Sequence, residues 1–261
     1  MRRRLRAGWQ VSGNYTFSHS IDNGSGWHNS ATTDNGRASG DGYTTDQTMP
    51  GLDRGNSTFD MRHRATFNFI WILPFFRNGR GLTKAVLGGW QLNGIWSFQS
   101  GSHWTPFNQR HAFLQASAPG ACDSATFDPA HCINTGGDYN LDGINNDRPN
   151  AIAETLHPTH DQWTNGFNLP SNFFSAPCLG CVGNLGRNTF LGPGYWDADT
   201  SIFKNFSLSE RCKLQFRAEA FNVFNHTNFY LGSNNISDPQ FGQAGGTANP
   251  RNLQFALKVA F

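Results

Sequence analysis

Apolar and polar residues alternate with a period of two in six separate stretches of this chain, and that repeat limits the fold more than any other feature. In 9–17, Trp9, Val11, Gly13, Tyr15 and Phe17 alternate with Gln10, Ser12, Asn14 and Thr16. Ala65, Phe67, Phe69, Trp71 and Leu73 share one face of a second stretch, and Trp90, Leu92, Gly94, Trp96 and Phe98 one face of a third. Leu214, Phe216, Ala218 and Ala220 oppose Lys213, Gln215, Arg217 and Glu219, and a weaker pattern runs through 197–208. The chain ends on Leu253, Phe255, Leu257, Val259 and Phe261, with Asn252, Gln254 and Lys258 between them. Successive side chains of a strand point to opposite faces, so each stretch is predicted to be a strand with one apolar and one wet face. A bare apolar strand invites aggregation unless its edges are paired, which predicts a neighbour for 252–261.

The chemistry of the two faces separates two all-β architectures. A soluble sandwich buries Val, Ile and Leu and exposes charged residues. Here the apolar face is heavy in Phe and Trp and carries the small residues Gly13, Gly94 and Ala218, while the opposite face is Gln, Asn, Ser and Thr. With 23 Phe and 8 Trp but only 15% charged residues, the composition favours a lipid-facing surface over a salt-rich aqueous one. Strands of about ten residues with aromatics towards their ends suit a transmembrane β-barrel, whose polar face lines a wet lumen. The longest apolar run, residues 69–76, falls far short of the roughly 18 residues of a spanning helix. A net charge of +2 gives no case for nucleic acid.

The connections alternate in length. Short links join the second stretch to the third and the fourth to the fifth, the latter through "LSER". Long, Gly- and Asn-rich segments occupy about 20–60, 101–195 and 226–250. Short turns on one side and long loops on the other are the asymmetry of outer-membrane barrels. The basic start, "MRRRLRAGWQ", has no apolar segment behind it, so it is not expected to be a signal peptide.

Several of these pieces resemble a known family. "YTFSHSIDN", "FDMRHRATFNFIWILPF", "LGGWQLNGIWSFQSG", "DGINNDRPN", "GNLGRNTFLGPGYWDADTSIFKNF", "LQFRAEAFNVFNHTNF" and "RNLQFALKVAF" are similar, in order, to the C-terminal end of TonB-dependent outer-membrane receptors of the Oar-like group, which carry a carboxypeptidase-regulatory-like domain. The resemblance implies a barrel of about 22 strands closed by a plug. It implies uptake of a bulky ligand, driven by the inner-membrane TonB complex, in the outer membrane of a Gram-negative bacterium. Phe261 then matches the terminal aromatic read by the barrel-assembly machinery. The implied partners are outer-membrane lipid, that machinery, the plug and the rest of the receptor, with the TonB complex reached only through N-terminal parts this chain does not match. About six strands cannot enclose a transport lumen. The expectation is therefore all-β: an antiparallel meander of about six strands forming the C-terminal part of a transmembrane β-barrel with long extracellular loops. In it the last strand pairs with the first strand of the complete protein.

The candidate site residues are few. Asp138, Asn140 and Asp142 stand at alternate positions before the turn residue Gly143, Ile144 offers a carbonyl, and Asp147 replaces the acid that a calcium loop carries further on. The other reading of 137–150 is an Asx-rich turn that folds on its own hydrogen bonds, without calcium. Cys122 with Cys132 and Cys178 with Cys181 are spaced for local disulfides; the second pair lacks the partner pair a zinc site needs. Cys212 is in phase with the apolar face. Arg211, Lys213, Arg217 and Glu219 form a charge ladder on the lumen face, which in the resembling family meets the plug. Trp104, Phe107, Trp163, Phe167, Phe173 and Phe174 either contact a ligand or build small cores within the loops. No serine elbow, P-loop or His-Glu-x-x-His occurs, so the chain is not expected to be an enzyme. The rival reading is a soluble or surface β-rich binding module with a calcium loop.

Overall fold

The computed structural model describes residues 2–6, 8–25, 45–46, 48–76, 80–107, 113–115, 132–134, 139–140, 147–153, 157–170, 172–178, 180–236 and 238–261. Seven strands form one antiparallel meander: β1 (Arg2–Arg6), β2 (Trp9–Phe17), β3 (His63–Ile72), β4 (Trp90–Gln99), β5 (Tyr195–Ser207), β6 (Lys213–Phe221) and β7 (Asn252–Ala260). Six coincide with the alternating stretches. The seventh, β1, is an addition: its Arg-rich sequence carries no period-two signal, yet it pairs Arg2 with Ser12 and Arg6 with Trp9. The turn between β1 and β2 passes through Gly8 at φ +87°, a conformation that costs glycine nothing and other residues strain.

Register makes the faces continuous. Tyr15 lies opposite Ala65, Ala65 opposite Phe98, and Phe98 opposite Trp196. Lower down, Trp71 faces Leu92, Leu92 faces Ile202, Ile202 faces Ala218 and Ala218 faces Phe255. From β2 to β7 every such row is apolar or small apart from His63, Thr200 and Lys204, because side-by-side partners share a face, whereas β1 sets Arg3 beside Val11 and Arg6 beside Trp9. The glycines on this face make room for rings. A Cβ on Gly94 would collide with the Phe69 ring, and one on Gly13 would press on Phe67 at 3.3 Å. Between Trp90 and Phe98 of β4 the band spans about 26 Å along the strand, close to the roughly 9–11 residues a tilted strand needs to cross a bilayer.

This face is uncovered. Phe255 and Leu257 are each 69% exposed and Leu253 57%. Among the described residues no second sheet packs on it, as a sandwich requires. The sheet is also open: β1 and β7 are its edges, and neither has a second neighbour among the described residues. The expectation that 252–261 has a partner is met on one side, by β6. No described helix is long and apolar enough to cross a membrane.

Connections fall at two ends. At one, the β3–β4 link contains a helix the sequence reading missed, α1 (Gly81–Leu87), and residues 208–212 join β5 to β6. Lys204 sits on the apolar face but runs to this end, where its Nζ donates to the carbonyls of Val86 (3.1 Å) and Gly88, between the rings of Trp90 and Phe206. A long cation escapes lipid in this way. At the other end the long loops fold together into a cap with its own core of Trp104, Trp163, Phe167, Phe173, Leu185 and Phe190. The aromatic loop residues pack within the cap: Trp104 is 2% exposed and Phe190 0%, Phe107 is buried, and Phe174 packs against the cluster.

Candidate functional site

The polar face begins from residues one step out of phase with the apolar rows. Gln10, Ser12 and Asn14 lie beside Ile70, Asn68 and Thr66, followed by Asn93, Ile95 and Ser97, then Ser201, Asp199 and Asp197. Amides and hydroxyls link neighbouring strands: Asn93 Nδ2 donates to Ser201 Oγ at 3.2 Å, and Gln215 Nε2 to Asn205 Oδ1 at 2.9 Å. Ile70, Ile95, Phe203 and Phe221 interrupt the face, so it is less uniformly polar than the alternation implied.

The structure splits the charge ladder. Arg217 and Glu219 stand on the polar face with Nε and Oε1 4.0 Å apart, and the Arg217 guanidinium lies 5.8 Å from the Phe203 ring. Lys213 opens β6 on the same face, whereas Arg211 lies in the 208–212 turn, outside the strand. Cys212, beside it, is a free thiol. Phe261 follows β7 and is fully exposed.

At the cap end, the polar face opens into a cleft of about 740 Å³. Tyr195, Asp197, Asp199 and Phe221 reach it from the strands, and Tyr230 and Arg251 from the third long loop. Asn222, held at φ +49°, positions the strand-to-loop exit: its N–H donates to Asp199 Oδ1 at 3.0 Å and its Nδ2 to the His226 carbonyl at 2.8 Å. The two aspartates, two phenol hydroxyls and one guanidinium suit a polar solute arriving at the mouth of the face, by charge-assisted hydrogen bonds. Sequence reading missed this cleft, although Asp197 and Asp199 recur at the strand period.

Above it, two arginines of the second loop grip the first. Arg148 Nη1 donates to Asp53 Oδ1 at 2.6 Å and to Thr45 Oγ1 at 2.8 Å, while its Nε reaches the Leu185 carbonyl at 2.7 Å. Arg187 Nε donates to the Asp53 carbonyl at 2.7 Å, and its Nη2 pairs with the Asp22 carboxylate. Burial pushes the Arg187 guanidinium down to about 10, so it stays cationic. Buried charges persist only when paired and hydrogen-bonded, as these are. These arginines also went unread, although "NDRPN" and "NLGRNTF" set each beside turn residues.

A second buried centre surrounds Asp60. Its carboxylate accepts from Arg62 Nε at 2.8 Å and from the Ser20 N–H at 3.1 Å, and lies 3.4 Å from His103 Nε2. Burial favours the neutral acid, but the Arg62 hydrogen bond, the Ser20 N–H and the charges of Arg62 and His103 outweigh it and hold Asp60 below its usual value. Burial likewise pushes His103 down, against the attraction of Asp60.

Asp138, Asp142 and Ile144 of the calcium reading lie outside the described residues, as does Cys122. Asp147 Oδ2 accepts from the N–H groups of Tyr139 (2.6 Å) and Asn140 (2.7 Å), and Asn140 Nδ2 donates to the Thr45 carbonyl at 2.6 Å. Among the described residues, no three His, Cys, Asp or Glu side chains gather as a metal site. Cys178 and Cys181 are joined by a disulfide.

No curated protein and no solved structure matches this chain. Residues 1–254 match the family model of the outer membrane beta barrel domain, and the chain belongs to that family.

Proposed function

We propose that this chain is the C-terminal barrel segment of a TonB-dependent, Oar-like outer-membrane receptor, which takes up a bulky ligand and carries out no catalysis. The observation that carries the reading is the open arc of strands: one face is mainly apolar, the other mainly polar, and a folded cap overhangs the polar mouth. Seven strands are too few to enclose a lumen that passes a solute, since barrel diameter grows with strand number. In the complete receptor, further strands join β1 and β7 and a plug meets the Arg217–Glu219 face. The ligand meets the Asp197–Asp199 cleft first, and the TonB complex acts through the plug side of the polypeptide. The barrel-assembly machinery reads Phe261, and outer-membrane lipid covers the apolar face.

The test is an immunoblot of outer-membrane fractions with an antibody against the cap. A band much heavier than 261 residues supports the reading. A band at the mass of 261 residues, resistant to extraction without detergent, would leave a small barrel protein and remove the receptor.

A further inference from the structure

A recess of about 530 Å³ lies at the cap end on the apolar side of the sheet, opposite the cleft just described. Its floor is a single cross-strand row, Tyr15–Ala65–Phe98–Trp196. Its roof comes from the loops: α2 (His160–Asn165), which brings His160 and Trp163, and the third loop, which brings His226 and Phe229. The start of α2 is fixed by a capping box, in which Gln162 Oε1 accepts from the Thr159 N–H at 2.8 Å.

The recess carries a distinct chemistry. His226 stacks on Trp196 with ring centres 4.3 Å apart, His160 lies 4.8 Å from Phe229, and Tyr15 hydroxyl meets His63 Nδ1 at 2.8 Å. No Lys, Arg, Asp or Glu is among the residues lining it. Aromatic faces beside neutral hydrogen-bonding groups recognise rings that are apolar on one side and hydroxylated at the edge. Charge recognition of a phosphate needs cations, which this lining lacks. The volume lies within the about 300–1,000 Å³ range of small-ligand sites.

Position selects the source of such a ring. The floor is continuous with the lipid-facing rows and forms their uppermost complete row, so the recess sits where the bilayer's hydrocarbon ends and headgroups begin. We propose that this recess binds the sugar headgroup of an outer-leaflet glycolipid, docking it against the barrel wall under α2. The sugar ring lies against Tyr15 and Trp196, and the histidines and Tyr15 hydroxyl hydrogen-bond its edge. The proposal uses only the lipid-facing orientation given by family membership and is independent of transport.

The test places the full-length outer-membrane protein in phosphatidylethanolamine nanodiscs, with or without an uncharged glucosyl-diacylglycerol, and follows retention by native mass spectrometry. Retention of one glycolipid per chain is expected. Tyr15→Ser and His160→Ala, both at exposed positions, should each weaken it roughly tenfold, the scale of one lost aromatic or hydrogen-bond contact. Phe59→Ala, on an exposed loop away from the recess, should leave it unchanged. Equal retention in all variants would overturn the proposal. So would tighter binding of the free methyl glucoside than of the intact glycolipid, which would mark a site for soluble sugar.

Discussion

The sheet and the cap solve the same problem, burial of apolar groups, in opposite ways. The cap buries Trp104, Trp163, Phe167 and Phe190 against one another and pairs its buried charges within itself. The sheet leaves Phe67, Phe255, Leu257 and Val259 exposed and relies on its surroundings to cover them. The difference shows where each part draws its stability. Hydrophobic gain in the cap is internal to the chain, whereas in the sheet it appears only when lipid replaces water. Backbone pairing is the sheet's own share, and it is what lets an apolar face stand without a second layer.

The largest expected break comes from removing one member of the buried pairs. Arg148→Ala strands the Asp53 carboxylate, which has little access to water, and should cost roughly 3–5 kcal/mol. The loss should fall on the cap alone. Limited proteolysis of the refolded variant should cut within the long loops while the far-ultraviolet β signal persists; loss of both together would mean that cap and sheet fold as one unit. The converse variant is Leu253→Arg, at the lipid face in the row of Gly94, midway along the band. A cation deep in the apolar band costs about 2–4 kcal/mol, and urea unfolding in vesicles should show it with the cap still protease-resistant. Gln254→Arg, on the polar face of the same strand, should be close to neutral.

The sheet was far more legible than the cap, for a physical reason. A strand imposes period two on whatever residues face lipid, so Trp90 to Phe98 or Leu253 to Phe261 announces itself locally. β1 escaped because Arg2–Arg6 pairs through its backbone without alternating. The cap's contacts join residues far apart in the chain, such as Arg148 with Asp53 and Arg187 with Asp22, and no local period encodes them. Its aromatic residues were visible, but whether they bury or bind depends on three loops meeting. The cleft was hidden for the same reason: Asp197 and Asp199 belong to a strand, while Tyr230 and Arg251 arrive from a loop.

Acid should divide the two regions next, with a smaller effect. His103 is buried beside Asp60, and burial depresses its pKa below the ordinary 6.5. A histidine depressed in the folded state stabilises fully above its unfolded value, and that contribution is lost as pH falls through the folded value. Cap stability should therefore hold at neutral pH and decline below about 6.5, with sheet unfolding in vesicles unchanged over that range. Loop proteolysis against pH measures this, and His103→Asn should flatten the curve. A cap that grows more stable on mild acidification would show that the Asp60 attraction outweighs burial.

The smallest expected effect tests whether the polar face is wet. Arg217 and Glu219 lie 4.0 Å apart and remain partly exposed. A solvated pair of this kind couples by about 0.2–1 kcal/mol, and added salt reduces it. A double-mutant cycle with Arg217→Gln and Glu219→Gln, read by urea unfolding of this chain refolded in detergent micelles, should fall in that range. The same cycle in the full-length outer-membrane protein has a different expectation if a plug lies against the face, because excluding water strengthens the pair and raises the cost of breaking it. Coupling that rises between the two preparations places a partner on the polar face. Equal, small coupling in both leaves that face open to water along its length, as the apolar face is open to lipid.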